Sequence, residues 1–315
     1  MKDWELRQRQ SLPLEAKIIL TQQRIREWYE AWEGEVYVSF SGGKDSTVLL
    51  HLVRQLYPEV PAMFIDTGLE YPEIKEFVRT MNNVVTVKPK MVFHEVVKKY
   101  GFPIVSKETA ERVYRLRHYI LSERVKKYYL EGDSEKGYGP KLAKKWRILL
   151  TAPFEVNSYC CNVLKKGPGK KYAKETGRKL MTGEMAAESR LRMQQYLASG
   201  CNAFDAKKPK SMPLAFWKEQ DILQYIKETK LPYSTIYGDI IEINGILSTT
   251  EESRTGCMFC GFGIHLEKGE NRFQRMALTH PKQYDYCINK LGMGEVLDYI
   301  GVDYMRNSIF DEVVL

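Results

Sequence analysis

The sequence predicts an α/β fold whose strands run in parallel. Short apolar runs rich in β-branched residues alternate with segments in which apolar residues recur at helical spacing, and glycine- or proline-bearing turns separate them. Hydrophobic residues make up 43% of the 315 positions, which is enough for a substantial core. Because a strand, a helix and a second strand in succession form a right-handed unit with parallel strands, this alternation favours a parallel sheet.

Each predicted element follows from its own pattern. Helical spacing of leucine, isoleucine and tryptophan predicts a first helix from Leu14 to about Gly34. Uninterrupted apolar runs predict strands at residues 36–40, 62–65, 84–87 and 179–183, with a last strand ending at residues 213–214. Amphipathic spacing predicts helices at residues 46–57, 73–80, 92–100 and 221–228, and near Phe273, Tyr284 and Val296.

One segment interrupts the alternation. Residues 108–130 form a long, basic, tyrosine-rich helical stretch, and the turn residues 137–140 follow it, so an insertion is expected at about 107–150. The predicted organisation is an N-terminal helical segment at 1–34, an α/β domain at 35–240 that holds this insertion, and a C-terminal, cysteine-bearing helical region at 241–315.

The formal charge of +8 is concentrated in two tracts. Residues 107–147 hold twelve lysines and arginines against six acidic residues, and residues 165–179 hold a second group. A solvated helix face and a surface for DNA or RNA both account for such tracts, and composition does not choose between them. The tyrosines within the first tract either pack the helix or stack on unpaired bases; they are Tyr114, Tyr119, Tyr128 and Tyr129.

The cellular setting is predicted from what the sequence lacks. No apolar run reaches the roughly 18 residues of a membrane span, and the first residues do not resemble a signal peptide. We therefore expect a cytoplasmic protein without a membrane partner. In that reducing setting, clustered cysteines favour metal or redox chemistry over disulfides.

The segment Ser41-Gly42-Gly43-Lys44-Asp45-Ser46 lies between a predicted strand and a predicted helix. Its glycines let a phosphate approach the main chain, and the following helix offers unpaired N–H groups. The lysine adds positive charge and the serines add hydroxyl donors. A plain tight turn is the alternative, but it needs neither hydroxyls nor lysine. The spacing also differs from the Walker pattern, so this is a different kind of anion loop.

This segment resembles the PP-loop of the ATP pyrophosphatase (adenine nucleotide α-hydrolase) superfamily. Asp66-Thr67-Gly68 and Tyr71-Pro72-Glu73 are similar to the phosphoadenylyl-sulfate (PAPS) reductase branch. Later pieces extend the resemblance to about residue 240, namely Gly183-Glu184, Glu188-Ser189-Arg190, Pro213-Leu214, Trp217, Asp221 and Leu231-Pro232-Tyr233.

The resemblance implies a doubly wound, mostly parallel five-stranded sheet that binds ATP with Mg²⁺. The nucleotide-binding residues it implies are Ser39, Ser41, Gly42, Gly43, Lys44, Asp45, Ser46, Asp66, Thr67, Gly68 and Gly183. Of these, Lys44 and Asp45 are expected to act in catalysis. One position departs from the branch, because Met185 stands where an arginine is frequent. Contacts to a sulfate or 3′-phosphate are therefore not expected from that position.

Four of the six cysteines form a C-C plus C-x-x-C set, which is Cys160, Cys161, Cys257 and Cys260. Adjacent cysteines are awkward ligands for one tetrahedral zinc, whereas neighbouring sulfurs suit different irons of a cluster. The set resembles the 4Fe-4S site of adenylyl-sulfate reductases and of DNA phosphorothioation proteins. A zinc site and buried or redox thiols remain alternatives. Cys201 and Cys287 are expected to be small buried hydrophobes, or sulfur-carrying nucleophiles if they are accessible.

The predicted function is ATP-dependent sulfur transfer. Reductases that resemble this chain use a cysteine in a C-terminal tail, and no cysteine follows Cys287 here. We therefore expect ATP to be cleaved between its α- and β-phosphates to adenylate an acceptor, such as DNA, RNA or a smaller molecule. A cysteine desulfurase or another donor would supply sulfur. A PAPS or adenylyl-sulfate reductase and a non-catalytic nucleotide-sensing or nucleic-acid-binding module are the alternatives.

Overall fold

The computed structural model describes residues 2–132 and 141–305. Its α-helices are α1 Asp3–Gln10, α2 Leu14–Ala31, α3 Lys44–Leu56, α4 Pro72–Arg79, α5 Phe93–Tyr100, α6 Lys107–His118, α7 Glu123–Glu131, α8 Gly167–Thr176, α9 Arg190–Ser199, α10 Glu219–Thr229, α11 Arg272–Thr279, α12 Pro281–Asp285 and α13 Met293–Tyr299. The strands are β1 Val36–Ser39, β2 Ala62–Ile65, β3 Val84–Val87, β4 Ile104–Val105, β5 Lys179–Thr182, β6 Asn202–Ala203, β7 Lys210–Ser211, β8 Ile240–Ile243, β9 Ile246–Thr249 and β10 Gly261–Phe262. Among these described helices, none is long and apolar enough to cross a bilayer.

Six strands of the described chain form the main sheet, in the order β3-β2-β1-β5-β7-β6. Four neighbouring pairs are parallel, and only β6 runs antiparallel to β7. The predicted α/β fold with a mostly parallel sheet is confirmed, with six strands rather than five. The additional strand, Asn202–Ala203, is two residues long, and so short an element leaves no periodic pattern in the sequence.

Three elements differ from the sequence prediction. The long helix expected at 108–130 is two helices, because Tyr119 leaves the helical conformation and Ser122 caps the start of α7. The last parallel strand, β7, ends at Ser211, before the predicted residues 213–214. The region beyond residue 240, expected to be helical, opens with the antiparallel hairpin β8–β9. The predicted turn at 137–140 lies outside the described residues.

The described chain forms two compact units. Among the described residues, the first comprises 2–66, 70–89 and 167–255, and the second comprises 67–69, 90–132, 141–166 and 256–305. The first unit holds the main sheet and the second holds β4, β10 and helices α5–α7 and α11–α13. The predicted boundaries at residues 34 and 240 do not coincide with these divisions and stay predictions.

The core of the first unit lies where β1 meets α3. Val36 and Val38 of the strand are fully buried, as are Leu49 and Leu52 of the helix. A strand with neighbours on both sides and helical cover is expected to be apolar on both faces, which explains the uninterrupted hydrophobic run that predicted it. This packing fixes the end of β1, where the anion loop begins.

The second unit is organised around short parallel pairings. β10 pairs with β4, with Gly261 opposite Ile104. Nearby, Phe102 bridges Val156 in parallel. Gly101 permits this approach, since its φ is +96° and a β-carbon there would lie 2.3 Å from the carbonyl carbon of Glu155. A glycine is therefore required where these two segments meet.

Candidate functional site

The loop at residues 41–46 connects β1 to α3 as the sequence predicted. Gly42 has a φ of +74°, and a β-carbon on it would lie 2.8 Å from Ile74 Cγ2. The hydroxyl of Ser46 donates to Gly43 O at 2.8 Å and lies 3.1 Å from Ser41 Oγ. Helix α3 begins directly after Gly43, so the N–H groups of its first turn are presented at the loop. The arrangement is suited to an anion.

The ends of three neighbouring strands meet at this loop. Ser39, the last residue of β1, is aligned with Met63 of β2 on one side and with Thr182 of β5 on the other. From β1 the chain passes to β2 on one side, while β5 lies on the opposite side. Ligands of open α/β sheets bind at such a reversal of strand order, outside the carboxyl ends of the strands.

Gly183 follows β5 and lies against the start of α3. A β-carbon there would lie 3.0 Å from Asp45 O and 3.2 Å from Ser46 N. The structure thus brings Gly183 next to the anion loop, as the sequence prediction requires of a nucleotide-site residue. Its contact with base or ribose stays a prediction.

Lys44 is buried and held by groups that the local motif does not reveal. Its ammonium lies 2.9 Å from Glu219 Oε1 and donates to Ser253 O at 2.5 Å. The N–H of Lys44 donates to the hydroxyl of Tyr237, which lies 2.8 Å from Thr255 Oγ1. These partners are more than 170 positions downstream, so only the folded chain identifies them as part of the site.

The carboxylate of Asp45 has a buried oxygen that makes no hydrogen bond. Its Oδ1 is inaccessible to solvent and has no hydrogen-bond partner, although the residue as a whole is only half-buried. Burial raises the pKa of Asp45 to about 6, and Glu188 and Glu219 add to the effect while Lys44 opposes it. A buried acceptor without a partner is costly. The carboxylate therefore suits a bound cation.

The position at which an arginine is frequent in the branch holds a buried, apolar side chain in this chain. Met185 is only 4% exposed. The charge beside it comes from Glu184, which pairs with Lys210 at 2.5 Å and with Arg192 at 3.8 Å. Burial acts to raise the pKa of Glu184, but these cations outweigh it and the pKa is lowered. Glu184 is therefore an ionised, already paired carboxylate.

Asp66, Thr67 and Gly68 follow β2. Asp66 belongs to the first unit and forms an ion pair of 2.7 Å with Lys75. Thr67 and Gly68 group with the second unit; the hydroxyl of Thr67 accepts from Leu69 N, and Gly68 has a φ of +79°. Their contact with a nucleotide stays a prediction.

All four clustered cysteines lie in the second unit. Cys160 and Cys161 start a helical segment, with their sulfurs 4.0 Å apart. Cys257 and Cys260 lie at the two ends of a turn closed by the Cys260 N–H donating to Cys257 O, directly before β10. Across residues 2–132 and 141–305, no three histidine, cysteine or acidic side chains are placed to hold a single metal ion.

The Cys160–Cys161 pair and the Cys257–Cys260 pair influence each other electrostatically. The thiol of Cys160, then Lys107 and Lys165, lower the pKa of Cys161. The pKa of Cys160 is raised by its hydrogen bond to Cys161 and by burial, and Cys257 and Cys260 add to it, so all four sulfurs interact electrostatically. Lys107 and Lys165 therefore stabilise negative charge on sulfur.

Cys201 and Cys287 are buried, as predicted for small hydrophobes. Cys201 is 4% exposed and burial raises its pKa to about 12; Cys287 is fully buried and burial raises its pKa as well. Neither is placed to act as a nucleophile at neutral pH.

Part of the predicted basic tracts serves the fold. Arg115 pairs with Glu111, and Arg117 pairs with Glu155 and donates to Phe154 O. In the second tract, Arg178 donates to Val36 O. Other basic side chains remain exposed, namely Lys126, Lys127, Lys141, Lys144, Lys145, Lys166, Lys170, Lys171 and Lys174.

Comparison with known proteins gives the family. The sequence profile of the phosphoadenosine phosphosulfate reductase domain matches residues 35–128 and 107–260. The chain belongs to this family. The match includes the anion loop, Gly183 and all four clustered cysteines, and it supports the expected membership of the adenine nucleotide α-hydrolase-like superfamily.

Individual relatives match smaller parts. An uncharacterised protein of Methanocaldococcus jannaschii is 26% identical over 85% of this chain and 43% of its own length. The adenosine 5′-phosphosulfate reductase of Bacillus cereus is 30% identical over 24% of this chain and 36% of its own length. The chain thus spans less than half of these relatives. A crystal structure of phosphoadenylyl-sulfate reductase from Candida auris, 18% identical, covers 75% of this chain and 98% of its own with a TM-score of 0.40.

The chain belongs to the phosphoadenosine phosphosulfate reductase domain family, and its loop at residues 41–46 suits a phosphate-bearing ligand. The loop, the strand ends and Lys44 suit a polyphosphate, while the cysteines suit sulfur or iron. The reaction, the cofactors and the acceptor are matters for proposal.

Proposed function

We propose that this protein is an ATP-dependent sulfurtransferase. In the proposed reaction an acceptor oxygen attacks the α-phosphorus of ATP, the bond to the bridging oxygen breaks, and pyrophosphate leaves. Sulfide then attacks the adenylated centre, and AMP departs with the original oxygen. Both steps are displacements, so no net oxidation or reduction occurs.

The disposition of the six cysteines carries this proposal. Four of them interact within one unit, and the remaining two, Cys201 and Cys287, are buried with raised pKa values. A sulfonucleotide reductase that also holds a cluster needs a further accessible thiol as nucleophile, and the described residues include none beyond the four clustered cysteines. ATP-driven activation needs no such thiol.

The nucleotide loop supplies what departing pyrophosphate requires. The first turn of α3, the Ser41 hydroxyl and the Lys44 ammonium lie together at the loop and can donate to developing negative charge. The Lys44 N–H and the Ser46 hydroxyl already donate to Tyr237 and to Gly43 O, and they hold the loop in shape. Mg²⁺ would balance the phosphate charge, and the unpartnered Oδ1 of Asp45 fits such a cation. When phosphate enters, we expect Lys44 to exchange its bond to the half-exposed Glu219 for one to the ligand.

The cysteine set fits the proposed 4Fe-4S cluster. The ligands would be Cys160, Cys161, Cys257 and Cys260. Lys107 and Lys165 offset the negative charge that four thiolates bring together. Such a cluster would supply an iron site able to carry sulfur, which a cysteine desulfurase or another donor would deliver.

The acceptor we favour is a nucleic acid. Lysines on α7, in the segment after it and on α8 are exposed, and those that form ion pairs do so only with exposed glutamates of their own helix. Each phosphate that these lysines neutralise would release counterions. Binding through these residues would weaken as salt rises.

The sulfonucleotide reductase remains a second candidate, because one observation favours it. The thiol of Cys160, Lys107 and Lys165 lower the pKa of the partly exposed Cys161, and a thiolate at that position could attack sulfur. Such a protein would use Cys161 as nucleophile and would not carry it as a cluster ligand.

The test is sulfur incorporation under anaerobic conditions. Protein, ATP, Mg²⁺ and ³⁵S-labelled sulfide are incubated with single-stranded DNA or RNA, and both ³⁵S in the polymer and pyrophosphate are measured. We expect the two products in equal amounts, and neither with Lys44→Met. ATP binding without pyrophosphate under any acceptor would instead identify a nucleotide-sensing module.

The cluster is tested separately. Iron and acid-labile sulfide are determined on the wild type and on Cys257→Ala, with Cys201→Ala as the matched control. We expect about four irons per chain in wild type and control and a loss in Cys257→Ala. Iron-free wild type prepared anaerobically would contradict the cluster.

A further inference from the structure

A pair of stacked tyrosines lies beside the clustered cysteines. The rings of Tyr100 and Tyr159 are 5.3 Å apart between centroids and inclined by only 15°. Tyr159 directly precedes Cys160, and both tyrosines belong to the second unit. The side chain of Tyr159 stays 44% exposed although Tyr100 lies against it.

The backbone around both tyrosines is firmly held. The N–H of Tyr159 donates to Asn157 Oδ1 at 2.7 Å, and the N–H of Asn157 donates to Phe102 O. Phe102 in turn donates to Glu155 O at 2.8 Å, next to the close approach at Gly101. The aromatic pair is therefore preorganised, and a ligand that stacks on it would lose little binding energy to ordering.

A lysine lies against one ring of the pair. The ammonium of Lys99 lies 5.2 Å from the ring centroid of Tyr100, and Lys98 beside it is exposed. Further along the same unit, after the cysteines, Lys166 is exposed. Aromatic rings alternating with lysines are the surface that single-stranded nucleic acids use, since bases stack and phosphates find cations.

The tyrosines of the basic tract are less suited to this use. Tyr128 and Tyr129 are tilted by 45° with their centroids 6.1 Å apart, and the hydroxyl of Tyr129 accepts from Arg115. Tyr114 packs against His118 and meets Tyr119 edge-on. The nearly parallel rings of Tyr100 and Tyr159 offer a flat face that these contacts do not.

We propose that Tyr159, backed by Tyr100, is a stacking platform for an unpaired base of a single-stranded nucleic acid at the cysteine site. The inference rests on the proposed function and narrows its acceptor to a strand whose bases are not in a duplex. Single-stranded DNA and looped RNA share this chemistry.

Binding of labelled oligonucleotides tests the platform, with the full chain prepared anaerobically. Fluorescence anisotropy compares single-stranded DNA, single-stranded RNA and duplex DNA on the wild type, Tyr159→Phe, Tyr159→Leu and the matched control Tyr128→Leu. We expect Tyr159→Leu to weaken single-strand binding roughly five- to 150-fold, since one stacked base contributes that much, while Tyr159→Phe stays within about twofold. Tyr128→Leu should bind as the wild type does.

A second readout guards against a folding defect. Quenching of 2-aminopurine in the bound strand reports stacking directly, and it should fall in Tyr159→Leu while iron content and thermal unfolding match the wild type. Equal affinity of Tyr159→Leu and wild type, a loss in Tyr159→Phe as large as in Tyr159→Leu, or preference for duplex would overturn the platform. Sulfur incorporation is scored separately, so that wild type binding strands without ATP turnover refutes only the sulfurtransferase.

Discussion

Replacing Asp45 with asparagine should raise the free energy of unfolding of the nucleotide-free protein while abolishing the proposed ATP cleavage. Burial raises the pKa of Asp45 from 3.8 to about 6, and its Oδ1 has no partner. The folded protein thus binds this proton more tightly than the unfolded chain does. The stability that the protonated Asp45 carboxyl contributes is therefore fully present below about pH 3.8 and is lost as the pH rises through about 6. The shift of about two pKa units corresponds to about 3 kcal/mol at pH 8 and roughly half of that at pH 5.

Urea unfolding without divalent cations measures this effect. Asp45→Asn cannot ionise, so its free energy of unfolding should exceed that of the wild type by up to about 3 kcal/mol at pH 8, and by roughly half as much at pH 5. Asp66→Asn is the matched control, because Asp66 is paired with Lys75 and should gain nothing. An Asp45→Asn protein that is less stable than the wild type at pH 8, or a difference independent of pH, would refute the reasoning.

Three further substitutions probe other contacts. Lys44→Met should leave thermal unfolding nearly unchanged, since the half-exposed Glu219 stays hydrated once it is unpaired, but it should weaken ATP binding at least about tenfold in calorimetry because the ammonium no longer reaches the phosphate. Gly183→Ala should weaken ATP binding roughly five- to 150-fold, because the new β-carbon would push on Asp45 O. Gly169→Ala is its control: the position has only ordinary contacts in α8, so ATP binding should be normal and the free energy of unfolding should rise by about 0.5–1 kcal/mol. Gly101→Ala should cost at least about 3 kcal/mol in urea unfolding, because its β-carbon overlaps the Glu155 backbone at positive φ.

Much of the fold was predictable because its main strands are short, mostly apolar runs between turns. β1 and β2 are largely buried, as expected of inner parallel strands, whereas the edge strand β3 is partly exposed; the bounds of all three agree with the prediction within a residue. The hairpin β8–β9 was missed, although Asn244-Gly245 between two isoleucine-rich runs is a strong turn signal. The break between α6 and α7 leaves no glycine or proline in the sequence to announce it.

The candidate site was predictable only where its residues are contiguous. The loop at 41–46 was recognised from its glycines, serines and lysine, and Gly183 was predicted from the resemblance to the PAPS reductase branch. Glu219, Tyr237 and Thr255 converge on Lys44 only through tertiary folding, since they lie at a helix start, in a short helical turn and in a loop far along the chain. No local pattern marks such residues, because their chemistry depends on which side chain they face.

The sequence gives the number of basic residues in each tract but not the role of each side chain. The sequence gives twelve basic residues at 107–147, whereas the structure separates arginines that brace the fold, such as Arg117, from exposed lysines. Likewise, the stacked pair Tyr100 and Tyr159 joins residues 59 positions apart and is invisible as a motif.

The most direct test of the central claim is a competition between two nucleotides. Protein, ATP, adenosine 5′-phosphosulfate, sulfide, thioredoxin and a single-stranded acceptor are combined anaerobically, and the products are followed by ³¹P NMR and a sulfite assay. Cleavage of ATP at the α-phosphorus predicts AMP and pyrophosphate with the phosphosulfate intact. Sulfite release with ATP unchanged would contradict the account and identify a reductase.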